Sequence, residues 1–218
     1  MAKILCIETA STNCSVAIGV NGKLKAIKED NNLTYSHSER LHIFIFEILQ
    51  ESSIQLSELD AVAISKGPGS YTGLRIGVSS AKGLSFSLDI PLIAVPTLTS
   101  LASRISRSGL RVPMLDARRM EVYTAVFNEN MEQVEETSAK ILTGDSYREF
   151  LEMGRVNFTG SGAGKFKEIC DHPNAVFLED QLPSAKEMIA PAEEKYKLSN
   201  FENVAYFEPY YLKDFMAG

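Results

Sequence analysis

Apolar residues arrive in short blocks whose period changes along the chain, and each change marks an element. Lys3–Ile7 is an apolar run closed by the polar cluster Thr9–Asn13, the pattern of a buried strand. Ser15–Val20 and Lys23–Ile27 flank Asn21-Gly22, a two-residue hairpin signal that supplies positive φ at both turn positions. Ser36-His37-Ser38-Glu39 has capping-box spacing and predicts a helix from there to about Glu51. Asp60–Ser65 reads as a second buried strand. Residues 66–73 form a glycine-containing loop, and a helix follows over Thr72–Phe86 with Thr72 as its cap. A strand at Pro91–Val95 and a helix at Thr97–Ser106 complete the first half.

Ser106–Gly109 reads as a hinge. Beyond it, Arg111–Leu115 and Glu121–Asn128 are predicted strands joined by Asp116-Ala117-Arg118-Arg119. Ser146–Met153 and Lys165–Asp171 are predicted helices, and Val156–Thr159 and Ala175–Leu178 are predicted strands. Helical signal returns at Pro191–Lys197, and the aromatic tail Tyr206–Leu212 is expected to pack back onto the body. Three strands, helix, strand, helix, strand, helix is the element order of one half of the actin-like ATPase fold. Order alone carries no function.

Charge narrows the classes. Twenty-two basic against 28 acidic side chains leave a net charge of −6, which argues against general affinity for nucleic acid. An apolar share of 44% with 23% charged residues is that of an ordinary globular protein. Cys6, Cys14 and Cys170 fit no metal-ligand spacing and read as thiols in a reducing compartment. Glu8 interrupts any N-terminal signal core. The strongest apolar run, Ile43–Leu49, contains Glu47 and falls far short of the roughly 20 residues of a membrane span. A cytoplasmic protein without membrane association is expected.

Few residues promise chemistry. His37 and His42 stand five apart, so their rings diverge by roughly 140° around a helix, whereas metal-binding pairs use i,i+4. No metal site is expected. Gly160-Ser161-Gly162-Ala163-Gly164-Lys165-Phe166 resembles a phosphate loop, but Thr159 stands where the first glycine belongs and Phe166 where a Ser or Thr would hold the metal. It reads as a strand-to-helix turn. His172 has no evident serine partner, so no catalytic triad is supported. Arg104, Arg107, Arg111, Arg118 and Arg119 read as scattered surface charge. Residues 67–73 are more specific: Gly67, Gly69, Ser70 and Thr72 suit an anion or a partner's loop, and equally a tight turn.

The first two helices carry the larger signal. With Leu41 at zero, Phe44, Ile45, Ile48 and Leu49 fill one arc, while Phe46 at about 140° and Ile43 at about 200° lie outside it. The second helix is small along one side, at Gly73, Gly77 and Ala81, with Ser80 and Gly83 nearby. Such spacing admits a close neighbour. A subunit-binding surface is therefore expected over His37, Arg40, Ile43, Phe46, Gln50, Gly73, Leu74, Gly77, Val78 and Ala81. Coverage by the chain's own second half is the alternative.

Five stretches resemble the TsaB (YeaZ) family of tRNA threonylcarbamoyladenosine biosynthesis proteins. They are Ile7-Glu8-Thr9-Ala10, His37-Ser38-Glu39-Arg40-Leu41, the run Gly67 to Gly77, Asp116-Ala117-Arg118-Arg119 with Glu121-Val122-Tyr123, and Tyr211-Leu212-Lys213. The resemblance implies an α/β, two-lobed actin-like ATPase (ASKHA, ribonuclease H-like) fold with a mixed sheet and helices in each lobe. Residues 1–107 would form an N-terminal lobe with the partner-binding helices, and 108–218 a smaller C-terminal lobe. It also implies a non-catalytic role in making N6-threonylcarbamoyladenosine beside the anticodon. A separate enzyme supplies threonylcarbamoyl-AMP, a TsaD-like transferase moves the group, and a TsaE-like ATPase joins them. The chain would bind and activate the transferase through its first two helices, pair with its own copy when alone, and meet tRNA only through the complex. It would hold no cofactor of its own, with ATP or ADP at the junction with partner subunits. Glu8 stands where the family usually shows Asp, which weakens a magnesium-nucleotide site at Glu8. A stand-alone ATP-handling enzyme of the same fold is the competing class, and nucleotide titration with and without the partner separates the two.

Overall fold

The computed structural model describes residues 1–31, 37–178 and 181–213, so the Ser36 cap expected for the first helix lies outside the described residues. The first sheet contains β1 (Lys3–Glu8), β2 (Cys14–Val20), β3 (Lys23–Asp30), β4 (Ala61–Ser65) and β5 (Leu92–Val95), in the order β3-β2-β1-β4-β5. β2 is antiparallel to both β1 and β3, while β4 and β5 continue parallel to β1. Side-chain alternation divides the strands between two cores. Leu5, Ile7, Val16, Ile18, Val62, Ile64 and Leu92 face α1 (His37–Ser52) and α2 (Tyr71–Leu88). The smaller set Ala2, Ile4, Cys6, Ala17, Ala61 and Ala63 faces α6 (Ala185–Lys197). Both faces are covered over β1, β2, β4 and β5, which is why these four strands are mostly apolar, whereas the edge strand β3 is not.

The second sheet repeats the scheme with β6 (Leu110–Asp116), β7 (Glu121–Phe127), β8 (Gln133–Ile141), β9 (Val156–Thr159) and β10 (Ala175–Leu178), ordered β10-β9-β6-β7-β8. Here too the first three strands form an antiparallel meander and the last two run parallel to β6. One face packs against α4 (Arg148–Met153) and α5 (Ala163–Lys167), where Tyr147, Phe158, Phe166 and Phe177 make an aromatic core. The other face packs against α3 (Thr97–Ser103) through Leu98, Leu101 and Ala102.

The expected boundary at residues 107/108 is corrected. One compact unit comprises 1–97 with 183–218, and the other comprises 98–182. α3 leaves the first unit because Leu98, Leu101 and Ala102 bury against Leu115, Ala125 and Phe127. Residues 183–197 return to the first because Ala185, Met188, Ile189 and Ala192 fill the small-residue face of its sheet. Hydrogen bonds fix that return. Asn13 Nδ2 donates to Pro183 O at 3.0 Å, the Ala185 N–H donates to Ser15 Oγ at 2.9 Å, and Lys195 Nζ donates to Ala94 O at 2.7 Å. The tail packs onto the first unit, with Val204 and Phe207 against the first core and Lys82 Nζ donating to Ala205 O and Phe207 O.

Candidate functional site

On α1 the predicted stripe is the buried one: Leu41, Phe44, Ile45, Ile48 and Leu49 face the sheet. Phe46 is 61% exposed and Ile43 47% exposed, with Arg40 and Gln50 also on the surface. Arg40 Nε lies 3.5 Å from an Asp30 carboxylate oxygen. These four expected residues remain available to a partner. His37 does not: it is buried, its Nε2 lies 2.7 Å from Ser11 O, and desolvation holds its pKa below the usual histidine value.

The α2 half of the expectation is corrected. Gly73, Leu74, Gly77, Val78 and Ala81 are all buried inside their own unit. A Cβ on Gly73 would stand 2.1 Å from Thr9 O, and one on Gly77 would stand 2.2 Å from Thr9 Oγ1. The small stripe admits a close neighbour, but that neighbour is the turn after β1. The outward face of α2 lies about a third of a turn away, at Ser79, Ser80 and Gly83, and a Cβ on Gly83 would meet nothing within 4 Å. His42 Nε2 lies 3.3 Å from Ser80 Oγ, and His42, Ser79, Ser80, Gly83 and Leu84 line a shallow depression. A second hollow opens beside Phe46, Leu49, Gln50, Ile54 and Leu56. Glycine at 83 with serine at 79 and 80 was the signal in the sequence, half-seen as neighbours of the buried stripe.

The glycine-containing loop is also used internally. Gly67 has φ +105, and a Cβ there would stand 2.8 Å from Tyr210 O, because the Tyr210 N–H binds Lys66 O and draws the tail across the loop. A Cβ on Gly69 would stand 2.4 Å from Ala10 O. Ser70, not Thr72, caps α2, its Oγ accepting from the Gly73 N–H at 3.3 Å. Thr72 is left exposed. Tail and helix then join side chain to side chain: the rings of Tyr71 and Tyr211 lie 5.0 Å apart, with the Arg75 guanidinium 4.2 Å over Tyr71.

Glu8 sits at the end of β1 with no exposed surface. Burial pushes its carboxyl up to about 7, against the pull of the Ala10 N–H, the Ser65 hydroxyl and the Thr9 N–H. Oε1 accepts from Ala10 N at 2.6 Å. Oε2 has no hydrogen bond of ordinary geometry among the described residues, and Ser65 Oγ lies 2.7 Å from Thr97 Oγ1. A carboxyl so enclosed would have to be uncovered before it could ligate a metal. Among the described residues no group of three or more His, Cys, Asp or Glu side chains converges.

In the second unit the phosphate-loop look-alike turns out to be a clamp. A Cβ on Gly160 would stand 2.3 Å from Met114 O, and one on Gly162 would stand 2.6 Å from Val122 Cγ1, so both glycines serve packing. Lys165 Nζ donates to Asp116 Oδ1 at 2.7 Å and to Arg119 O at 2.5 Å, and the Asp116 N–H donates to Ser161 Oγ at 3.1 Å. The loop thus holds the turn 116–119, a link that no pattern in the chain announces.

Two sheets of one topology, each a three-strand meander extended by parallel strands and covered by helices, define an actin-like ATPase (ASKHA-type) fold. Component A of (R)-2-hydroxyglutaryl-CoA dehydratase from Acidaminococcus fermentans shares it at TM-score 0.53 and 11% identity, over 92% of this chain and all of that one, a likeness of fold alone. A family model described as TsaD, tRNA N6-adenosine threonylcarbamoyltransferase, matches residues 32–214. The chain is 30% identical over 225 residues to the tRNA threonylcarbamoyladenosine biosynthesis protein TsaB of Escherichia coli K12, covering 99% of this chain and 96% of that protein. The structure of YeaZ from Pseudomonas aeruginosa superposes at TM-score 0.81 with 26% identity, over 97% of this chain and all of that one. The chain belongs to the TsaB (YeaZ) family. No helix among the described residues is long and apolar enough to cross a membrane.

Proposed function

We propose that this chain serves tRNA threonylcarbamoyladenosine biosynthesis as a non-catalytic subunit that binds and activates a TsaD-like transferase through the outer face of α1 and α2. The observation that carries the reading is the joint exposure of Phe46 and Ile43 on a folded helix whose own apolar stripe is already buried. Apolar surface left in water forgoes roughly 25 cal/mol per Å², which a partner recovers on docking. Gly83 and Ser80 leave room for the partner's backbone beside that patch. When the transferase is absent the same face pairs with a second copy, since a two-fold contact needs only self-complementarity. A TsaE-like ATPase joins the assembly, and nucleotide sits at the subunit junction: Glu8, fully enclosed and with its carboxyl pushed up to about 7, suits a Mg²⁺–nucleotide site on this chain poorly. Isolated protein is accordingly expected to show no metal-dependent ATP turnover above background. Robust hydrolysis lost in Glu8→Ala would favour a stand-alone enzyme.

Two variants test the face. Phe46→Glu and Gly83→Leu should each weaken transferase binding at least tenfold, about 1.4 kcal/mol. Gly83→Leu should leave the fold intact and gain up to about 1 kcal/mol of stability, because an exposed helical glycine is replaced by a better helix former. Light scattering of the mixture with circular dichroism of each variant measures both. Folded variants that assemble like the parent protein place the interface elsewhere.

A further inference from the structure

The turn at residues 116–119 uses more rigidity than a hairpin connection needs. Arg118 and Arg119 have φ of +69 and +49, the left-handed region that non-glycine residues enter at a cost. Five hydrogen bonds hold them there. Asp116 Oδ1 accepts from the Arg118 N–H at 2.6 Å and from Lys165 Nζ, the Ala117 N–H donates to Glu121 O, the Glu121 N–H donates to Arg118 O, and Lys165 caps Arg119 O. Asp116, the acid closest in sequence to Arg118, is thereby committed to the backbone and to Lys165. Both arginine side chains are exposed and have no ion-pair partner among the described residues. With Lys165 they set three cations against Asp116 and Glu121 at the base of the turn, a local excess in a chain of net charge −6.

From this geometry we propose that Arg118 and Arg119 form a preorganised phosphodiester-binding tip that contacts the sugar–phosphate backbone of the RNA substrate once the chain is assembled with its transferase. The inference rests on the function proposed above and extends it with an RNA-contacting residue pair on the second unit. Arginine suits the task because its planar fork meets two phosphate oxygens at once. A backbone fixed beforehand loses little freedom on binding. The glycines of the adjoining loop argue against a free nucleotide as the occupant. Gly160 and Gly162, the positions at which a phosphate would approach the backbone, are closed by Met114, Leu115 and Val122. Two arginines are too few for tight binding by the isolated, acidic chain, so at physiological salt the contact matters only within the complex, while at low salt it adds measurable affinity to the isolated chain.

The test is a tRNA titration of the reconstituted complex across a salt series, comparing the parent protein with Arg118→Asn/Arg119→Asn and Arg118→Lys/Arg119→Lys. Asparagine tolerates left-handed backbone, so the turn is kept while both charges go. The neutral variant should bind at least tenfold more weakly, and the slope of log K against log salt should fall by about 1–2, one phosphate contact contributing roughly 0.7–0.9. The lysine variant should keep most of the slope. Light scattering reports assembly in the same samples. Assembly at parent affinity with unchanged tRNA affinity and slope overturns the proposal, as does a lysine variant that behaves like the asparagine one. Loss of ATP binding without loss of tRNA binding overturns it too. If the parent protein forms no complex, the function proposed above fails separately, and titration of the isolated chain at low salt decides. Weaker tRNA binding by the neutral variant than by the parent upholds the tip, and equal binding rejects it.

Discussion

Gly77→Leu should unfold the first unit, or lower its melting temperature by roughly 2–12 °C or more, before it affects any partner. A Cβ at this position stands 2.2 Å from Thr9 Oγ1 and 3.1 Å from Ile64 Cδ1, and the leucine branches extend further into the same space. Thr9 cannot yield easily, because its hydroxyl donates to Gly73 O at 2.8 Å and its carbonyl faces Gly73 at equally close range. Overpacking of this kind costs about 1–3 kcal/mol and more where backbone blocks relaxation, and each kcal/mol is worth about 2–4 °C in a protein of this size. Thermal circular dichroism measures it. Gly77→Ala should be milder, and Thr9→Ala should relieve part of its cost, since the two positions share one contact. A Gly77→Leu protein that melts like the parent would mean the turn after β1 does not press on α2.

Stability should fall as pH rises from about 4.5 to about 7, and Glu8→Gln should remove that dependence. The Glu8 pKa is raised in the fold, from 4.5 to about 7, by loss of solvent. Between those values the folded state holds a proton that the unfolded state has released, so raising the pH favours unfolding, and the loss is complete above the folded pKa. The span corresponds to on the order of 3 kcal/mol. Glutamine keeps the acceptor for the Ala10 N–H and carries no charge to bury, so the variant should match the parent near pH 4 and exceed it at pH 8. His37, whose pKa burial lowers, acts in the opposite sense over part of the range, and comparing variant with parent at each pH isolates Glu8. Chemical denaturation at both pH values is the measurement. Parallel pH profiles for the two proteins would show that Glu8 does not titrate in this range.

What was legible in the sequence were the elements with a buried face. β1, β4, β5 and the inward stripe of α1 were clear because apolar side chains there repeat at the period of the element. β8 was missed because none of its nine residues is fully buried, and Gln133–Ile141 offers glutamates, threonine and serine where alternation would be sought. Yet it is the counterpart of β3 and completes the duplication of topology. α6 was read only from Pro191 onward, since proline normally opens a helix. Here Pro191 lies in mid-helix, and packing of Ala185, Met188, Ile189 and Ala192 on the sheet outweighs the lost hydrogen bond. Of the candidate face, the outlying Phe46 and Ile43 were found by angle alone. Which side of α2 meets water was not, because a stripe of small residues looks the same whether it admits a neighbouring subunit or the chain's own Thr9.

The return of residues 183–197 to the first sheet also sets an order of events in biogenesis. During synthesis β1 to β5 emerge early, yet one face of their sheet stays bare until α6 leaves the ribosome. Ser15 and Asn13 find their partners at Ala185 and Pro183 170 positions later, contacts whose closure is slow in any chain. Residues 98–182, being contiguous, close their own core without waiting. The segment translated first is thus the last to finish folding, and the apolar face that α6 will cover stays exposed throughout that interval.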